Sequence, residues 1–463
     1  MNANRVRRYF QERLGQQPGT KIQYGHPSPR FWKRGALELA DVCVMRNKDR
    51  KLMLYLHIPF CPQTDPPACG FCLFAREDFR GYPAVTHYLD YLKRELDMYA
   101  TIFEGEDLHC IYFGGGTPNI LKAREYGVVM DWIRAIFRIA PGAEVTLEGV
   151  PQLFGDDRLS AMAEAGVTRV SVGAQQLQDH LIKYSGRHQT AEQVFDTVKK
   201  SHELQMVCNV DLICGWFDQT EDDLVNDLRE LVALRPESIV VHPLTLAGPS
   251  HFAQEKARLP TAGETCRTFL RGRRYLEENG YWGASYTDYM LKDPPRGPKE
   301  VAYLRYYRDI MRYDRIGVGY GANSLLAGTE QRMGMTWRNM DNTISYYGTI
   351  DAGKLPVLEG FEFTEEDIRL LYIMKGLEGT PFLRSSAYAQ DFDRDLASDC
   401  APYFEVLSEM GWLESLDNDE YRVVNDGVFY TPMIQRCIAD DRNEELRRAA
   451  PKRMESLPQI HAV

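Results

Sequence analysis

Residues 55–72 read YLHIPFCPQTDPPACGFC. Three cysteines, Cys61, Cys69 and Cys72, fall within twelve positions, the last two in a Cys-Gly-Phe-Cys pair and the first held off by a proline-studded insert. Such a trio admits four readings: disulfide partners, zinc ligands, buried apolar thiols, or three corners of an iron–sulfur cluster. A chain that opens MNANRVRRYFQERLG, with no hydrophobic secretory segment, fits disulfides badly. Zinc wants four ligands, and His57 or a distant histidine would have to complete the set. Three thiolates satisfy three irons of a [4Fe–4S] cube and leave the fourth iron open.

Working outward, the run LMLYLHI (52–58) leads straight into this loop and is near-continuously apolar. That pattern suits a parallel strand covered on both faces. Five more runs share it: LHCIYFGGG (108–116), EVTLEG (144–149), TRVSVGA (168–174), VCNVDLICG (207–215) and SIVVHPL (238–244). Between them lie segments with helical spacing, one carrying Leu89, Leu92, Leu96 and Tyr99, another carrying Leu224, Leu228 and Leu231 after a capping Thr220. Six βα units in series predict an α/β fold with right-handed crossovers, an open or partial barrel. Reactive groups of such folds gather at the carboxyl ends of the strands. Here those ends bring Cys61, Gly114-Gly115-Gly116-Thr117, Glu148, Gln175, Asp211 and His242 to one rim. Beyond residue 245 a helix over 264–279, the strand-like YWGASY and the Gly-rich IGVGYGANS (316–324) follow. Helices dominate from about 362, with Thr364 as a cap, a hairpin in WLESLDNDEYRVV and a final charged helix. The predicted division is an N-terminal arm (1–50), a barrel core with its extension (51–325) and a mainly helical, winged-helix-like cap (326–463). The tail after Pro451 is expected to be loosely ordered.

Composition narrows the function classes. The apolar fraction of 44% and aromatic fraction of 11% fit a globular protein. No run of about 18 apolar residues offers a membrane span. A net charge of −11 argues against broad nucleic-acid binding. Apart from the trio, the ten cysteines are scattered singly, several within apolar runs, which suits buried small hydrophobes in a reducing, cytoplasmic setting.

Tyr55-x-His57-Ile58-Pro59-Phe60-Cys61 with Cys69-x-Phe71-Cys72 resembles the opening of the radical S-adenosylmethionine (SAM) enzymes related to oxygen-independent coproporphyrinogen III dehydrogenase. FGGGTPN (113–119), LEGVP (147–151), RVSVGAQ (169–175) and DLICGWFDQT (211–220) resemble further segments of that family in the same order. The resemblance implies a partial (βα)6 radical SAM barrel. It implies that Cys61, Cys69 and Cys72 hold a [4Fe–4S] cluster, that the open iron chelates one SAM, and that reductive cleavage yields a 5′-deoxyadenosyl radical. The chemistry is the cofactor's, and the protein positions it and excludes water. By the same resemblance Gly115, Gly116 and Thr117 form a SAM-binding glycine motif, while Glu148, Gln175, Arg187 and Asp211 are polar contacts to one or two SAM molecules. A carboxylate suits ribose hydroxyls or an ammonium group, and an arginine suits a carboxylate. Tyr55, Phe71, Thr245 and Asn323 match further SAM-contacting positions, partly through backbone atoms. The expected electron donor is a reduced flavodoxin or ferredoxin, and the expected substrate a small molecule.

Three departures stand out. The family's Cys-x3-Cys-x2-Cys is here Cys-x7-Cys-x2-Cys, with Pro62, Thr64-Asp65 and Pro66-Pro67 supplying turn chemistry for the excursion and Gly70 permitting tight wrapping. A family Gly-Leu-Pro becomes Gly215-Trp216-Phe217. The N-terminal segment reads KIQYGHPSPRFWKR in place of a tyrosine-rich one. These changes suggest retained SAM chemistry on a different substrate. The leading expectation is methyl or methylene transfer, methylation or cyclopropanation, to an aromatic or heterocyclic compound with a second SAM. Oxidative decarboxylation of porphyrinogen propionates, or another tetrapyrrole reaction, is the alternative, and a heme-binding or heme-delivery protein using His242 or His26 is the third.

Overall fold

The computed structural model describes residues 1–15, 26–35, 37–246, 250–379, 382–417 and 419–449. Residues 21–25 of the N-terminal segment, 247–249 after the sixth barrel strand, and the tail beyond Pro451 lie outside the described residues. The six expected strands are β1 (Lys51–Ile58), β2 (Asp107–Gly115), β3 (Arg138–Gly149), β4 (Arg169–Gln175), β5 (Val207–Cys214) and β6 (Ser238–Pro243). They pair in sequence order, all parallel.

Alternation along β1 shows why this sequence makes a barrel wall. Leu52, Leu54, Leu56 and Ile58 point to the main core beneath the helices, while Met53 and Tyr55 pack with Cys110 and Tyr112 on the inner face. Each buried leucine contributes about 1.5–3 kcal/mol. The covering helices include α2 (Tyr82–Phe103), which buries Leu89, Leu92, Leu96 and Tyr99, and α6 (Glu221–Leu234), which buries Leu224, Leu228 and Leu231. A capping box between Thr220 and Asp223 starts α6, satisfying two amides that would otherwise be orphaned. Helices α3 (Ala123–Ile136), α4 (Asp156–Ala165), α5 (Ala191–Glu203) and α7 (Ala262–Glu278) complete the layer.

The sheet continues past both barrel edges. After β6 come antiparallel β7 (Tyr281–Gly283) and β8 (Asp288–Leu291), with β8 against β6. On the other edge β9 (Tyr313–Val318) lies parallel to β1, followed by antiparallel β10 (Asn323–Gly328), β11 (Met333–Asn339) and β12 (Val357–Glu362). With the two-residue edge strand Lys33–Arg34 antiparallel to β12, the described residues form one thirteen-stranded sheet whose ends are not bonded to each other, so the barrel is open. The short helix α8 (Ala302–Arg308) is anchored by Glu144 of β3, which accepts from the Ala302 and Tyr303 amides at 2.9 and 3.2 Å.

Buried Glu95 of α2 ties the extension to the barrel. It accepts from the Gly319 amide (2.8 Å), Asn339 Nδ2 (2.7 Å) and the Tyr346 hydroxyl (2.6 Å) on α9 (Thr343–Asp351). From α10 (Glu365–Gly376) onward helices predominate: α11 (Leu396–Glu409), α12 (Thr431–Ile438) and α13 (Asp440–Ala449). They surround a small sheet of β13 (Leu383–Arg384), β14 (Leu413–Leu416) and β15 (Glu420–Val423), the hairpin being where the sequence places it. The N-terminal helix α1 (Ala3–Arg13) joins this cap, Phe10 meeting Trp412 edge-on at 5.6 Å. Among the described residues no helix is long and apolar enough to cross a membrane.

Candidate functional site

The cysteine loop leaves β1 at Ile58 and is clasped at once. Phe60–Cys61 pairs in parallel with Glu77–Asp78, with the Glu77 and Phe79 amides donating to the Pro59 and Cys61 carbonyls at 2.8 Å. Tyr88 of α2 donates to the His57 carbonyl, fixing the strand end from behind. Inside the insert the Thr64 hydroxyl donates to the Pro66 carbonyl (2.8 Å) and accepts from the Cys69 amide (2.9 Å). Ala68 and Cys69 sit in the left-handed region, φ 58° and 53°. Backbone held there without glycine costs of order 1–3 kcal/mol and persists only where surroundings enforce it.

The surroundings are aromatic. Trp216, Phe217 and Phe252 form a satellite core with Leu181, Ile213, Leu244 and Leu246, separate from the main one. Phe71 packs on it, 5.2 Å from Trp216 and 6.0 Å from Phe252, and a side chain at Gly70 would collide with the Phe252 ring. On the other flank Gly186, φ +62°, lies so close to Asp65 that a methyl group there would overlap its carbonyl. Phe71 of the Cys69–Cys72 turn and the Gly215-Trp216-Phe217 segment are therefore joined through one aromatic cluster. Trp216 and Phe217 are wholly buried, and Trp216 bears directly on Phe71.

The three sulfurs feel one another. Burial pushes the Cys72 thiol up to about 12, with Cys61 and Cys69 adding to the rise and Arg76 opposing it. Burial also raises Cys61, against the Thr117 hydroxyl, which donates to its sulfur at 3.4 Å. Neighbouring, part-buried thiols ionise readily only with positive charge beside them, and a metal cluster supplies it. Among the described residues no three histidine, cysteine or acidic side chains converge on a point that a single ion could occupy. Three thiols of one short loop, close enough for Cys61 and Cys69 to act on Cys72, suit the three protein-held corners of a cube.

Most of the other expected residues sit at or near the carboxyl ends of β1 to β6. Gly115 and Gly116 carry a structural duty: side chains there would strike the His57 ring and the Pro59 carbonyl, and the Gly116 amide donates to Ile58 at 2.9 Å. Glu148 is part-buried and accepts from the Tyr112 hydroxyl and the Gly115 amide, and desolvation, assisted by Asp211, raises it to about 7. Asp211 accepts from Ser171 (2.9 Å) and Asn209 (2.7 Å), and burial pushes it up while His242 and Arg169 pull it down. Gln175 adopts φ 67°, and its amide closes over Gly173, with the Arg187 guanidinium just beyond. Arg187 is itself buried and within electrostatic reach of Cys61. The Tyr55 hydroxyl lies 3.2 Å from His57 Nδ1. Thr245 donates to the Pro243 carbonyl at 3.4 Å, and the Asn323 backbone abuts Gly317, the partner of Tyr55 across β9 and β1. Arg76, Tyr112, Arg169 and Tyr303 also belong to this neighbourhood. Tyr112 was within reach of the alternation in β2, whereas Tyr303 arrives from a seven-residue helix with no local signal.

Residues 55–231 match the family model of the radical SAM superfamily. The heme chaperone HemW of Escherichia coli (strain K12) is 28% identical over 283 residues, covering 61% of this chain and 72% of its own. The anaerobilin synthase of Escherichia coli O157:H7 is 27% identical over 67% of each chain. The oxygen-independent coproporphyrinogen III oxidase of Escherichia coli (strain K12) is 24% identical over 86% of this chain and 89% of its own. The solved structure of coproporphyrinogen III oxidase (HemN) from Escherichia coli, described as a radical SAM enzyme, superposes with a TM-score of 0.76 at 22% identity. It covers 90% of this chain and 96% of that one, so the fold is shared.

Proposed function

We propose, for a chain whose residues 55–231 are a radical SAM domain served by a [4Fe–4S] cluster and SAM, that the substrate is a carboxylate-bearing tetrapyrrole. The observation that carries this reading is the extent of the likeness to coproporphyrinogen III oxidase: it runs over 86% of the chain, cap included, and not over the barrel alone. The heme chaperone and the anaerobilin synthase extend the same substrate class by name.

Cys61, Cys69 and Cys72 would hold three irons of the cluster. Bound there, the cluster and SAM supply a carbon-centred radical by one-electron reductive cleavage. The remaining work falls to the chain. Buried Arg187 offers a guanidinium to a carboxylate beside Cys61, where low dielectric strengthens the contact. Glu148 and Asp211 present acceptors to ribose hydroxyls, and Gln175 is locked in place by its own backbone. The Trp216–Phe217–Phe252 wall and the insert exclude water from one side of the loop. Reduced flavodoxin or ferredoxin is the proposed donor.

Anaerobic turnover with coproporphyrinogen III and with heme, followed by mass spectrometry, tests the assignment. Release of carbon dioxide or opening of a macrocycle together with 5′-deoxyadenosine supports it. Heme binding without SAM cleavage would move the protein to the chaperone role. S-adenosylhomocysteine formed alongside 5′-deoxyadenosine, with a methylated non-tetrapyrrole product, would restore the methyl-transfer expectation and overturn the proposal.

A further inference from the structure

Four tyrosines form a file along the inner face of the barrel. Tyr55 and Tyr112 stack with ring centres 6.1 Å apart, Tyr112 and Tyr303 approach to 4.2 Å, and Tyr303 and Tyr307 to 5.9 Å. Tyr55 and Tyr112, opposite each other on β1 and β2, each give their hydroxyl to a base. His57 Nε2 lies 2.9 Å from the Ala75 carbonyl and must donate to it, which leaves Nδ1 bare to accept from Tyr55. Burial keeps His57 neutral, pushed down to about 4. Tyr112 gives its hydroxyl to Glu148, the carboxylate assigned above to the nucleoside. Burial holds both phenols protonated, well above their ordinary range. Phenylalanine would fill these positions with less desolvation, so the hydroxyls call for a purpose.

We propose that Tyr112 is a hydrogen-atom donor which quenches a carbon-centred radical in the mouth of the barrel when no substrate is there to react. This rests on the radical SAM reading of the site. The step balances without net charge transfer: the Tyr112 O–H bond breaks homolytically, its hydrogen forms a C–H bond on the radical carbon, and a phenoxyl remains. The flanking rings of Tyr55 and Tyr303 stand close enough to share the oxidising equivalent, which is thereby kept off the backbone and off the cysteines.

The test uses the reduced, cluster-loaded full chain with SAM, no substrate, and deuterated buffer, in which phenolic O–H becomes O–D. The released 5′-deoxyadenosine is expected to carry one solvent deuterium. Freeze-quenched samples are expected to show a phenoxyl paramagnetic signal that narrows with ring-deuterated tyrosine. Both are expected to be lost in Tyr112→Phe and kept in Tyr82→Phe. Deuterium is counted per nucleoside released, so a variant that loads less cluster still reports. Nucleoside without deuterium, or with equal deuterium in Tyr112→Phe, overturns the role of Tyr112 alone; no nucleoside at all overturns the radical SAM reading and this role with it.

Discussion

Glu148 is under two opposing demands. Its proposed partner, a ribose, wants a carboxylate, whereas burial beside Asp211 favours the acid and lifts the group to about 7. Its folded pKa thus exceeds the unfolded one of 4.5, so the stability it contributes is full below about 4.5 and is lost as pH rises through 7. A displacement of this size corresponds to about 3 kcal/mol at most. Glu148→Gln is expected to flatten the fall in urea midpoint of the cofactor-free protein between pH 5 and 8 relative to wild type. Glu95 and Asp227, also raised to about 7, contribute the same slope in both proteins and cancel. An unchanged slope would show that Glu148 titrates elsewhere. Affinity for SAM should move the opposite way and rise with pH through 7 as the carboxylate forms.

Single residues also mark what the sequence could reveal. Cys61, Cys69, Cys72, Glu148 and Asp211 could be proposed from the sequence because strand ends and chemically distinctive residue types single them out. The role of Gly115 and Gly116 was legible only as a loosened backbone. Which neighbour requires the missing side chain, His57 or Pro59, depends on a contact between strands some sixty positions apart.

Among elements, the cysteine loop and its aromatic support stand or fall together. Gly186→Ala forces a side chain into the Asp65 carbonyl at a backbone angle that disfavours one. It is expected to leave the circular dichroism spectrum unchanged while lowering iron retained after reconstitution. Phe252→Ala removes the ring that seats Phe71 and Gly70, at about 3–5 kcal/mol for a buried phenylalanine. Faster loss of cluster to a chelator is the expected result, and wild-type retention in both variants would separate the insert from cluster binding. The strands around this loop were readable to within a residue or two, because parallel strands buried on both faces leave long apolar runs. β3 is the exception, starting at Arg138 in a polar stretch that carries no such run. The partnership of Phe71 with Trp216 was not readable, since packing across about 150 residues leaves no periodicity in either segment.

For the whole molecule, α1 closes on α11 and α13. Arg7 of α1 pairs with Glu405 and Glu409 at 2.6 and 2.7 Å, and Arg5 with Glu444 at 2.8 Å. Surface pairs like these add little each. The buried junction matters more: Asp367 receives His26 at 2.7 Å and Arg442 at 3.0 Å, joining the N-terminal arm, α10 and α13. Burial alone would raise Asp367, but His26, Arg442 and Thr364 hold it far below the usual carboxylate range. With the folded pKa depressed, its contribution is present above about pH 4 and lost on acidification through the folded value. Asp367→Ala strands two donors in the interior and is expected to cost about 3–5 kcal/mol, read as an earlier urea transition in the cap. A transition coincident with wild type would contradict the clamp. The cap was foreseen as helices with a hairpin. Its union with the first thirteen residues was not, because amphipathic α1 specifies a buried face without naming what covers it. The sheet likewise runs on through β11 and β12, where antiparallel strands bearing mixed residues resemble loop sequence.

The most direct measurement is anaerobic reconstitution with iron and sulfide, then reduction in the presence of SAM, on wild type and Cys69→Ala. About four irons per wild-type chain, with 5′-deoxyadenosine released, and neither in Cys69→Ala, is the outcome expected. Equal iron and equal nucleoside from the variant, or an iron-loaded wild type that leaves SAM intact, would contradict the assignment of the three thiols.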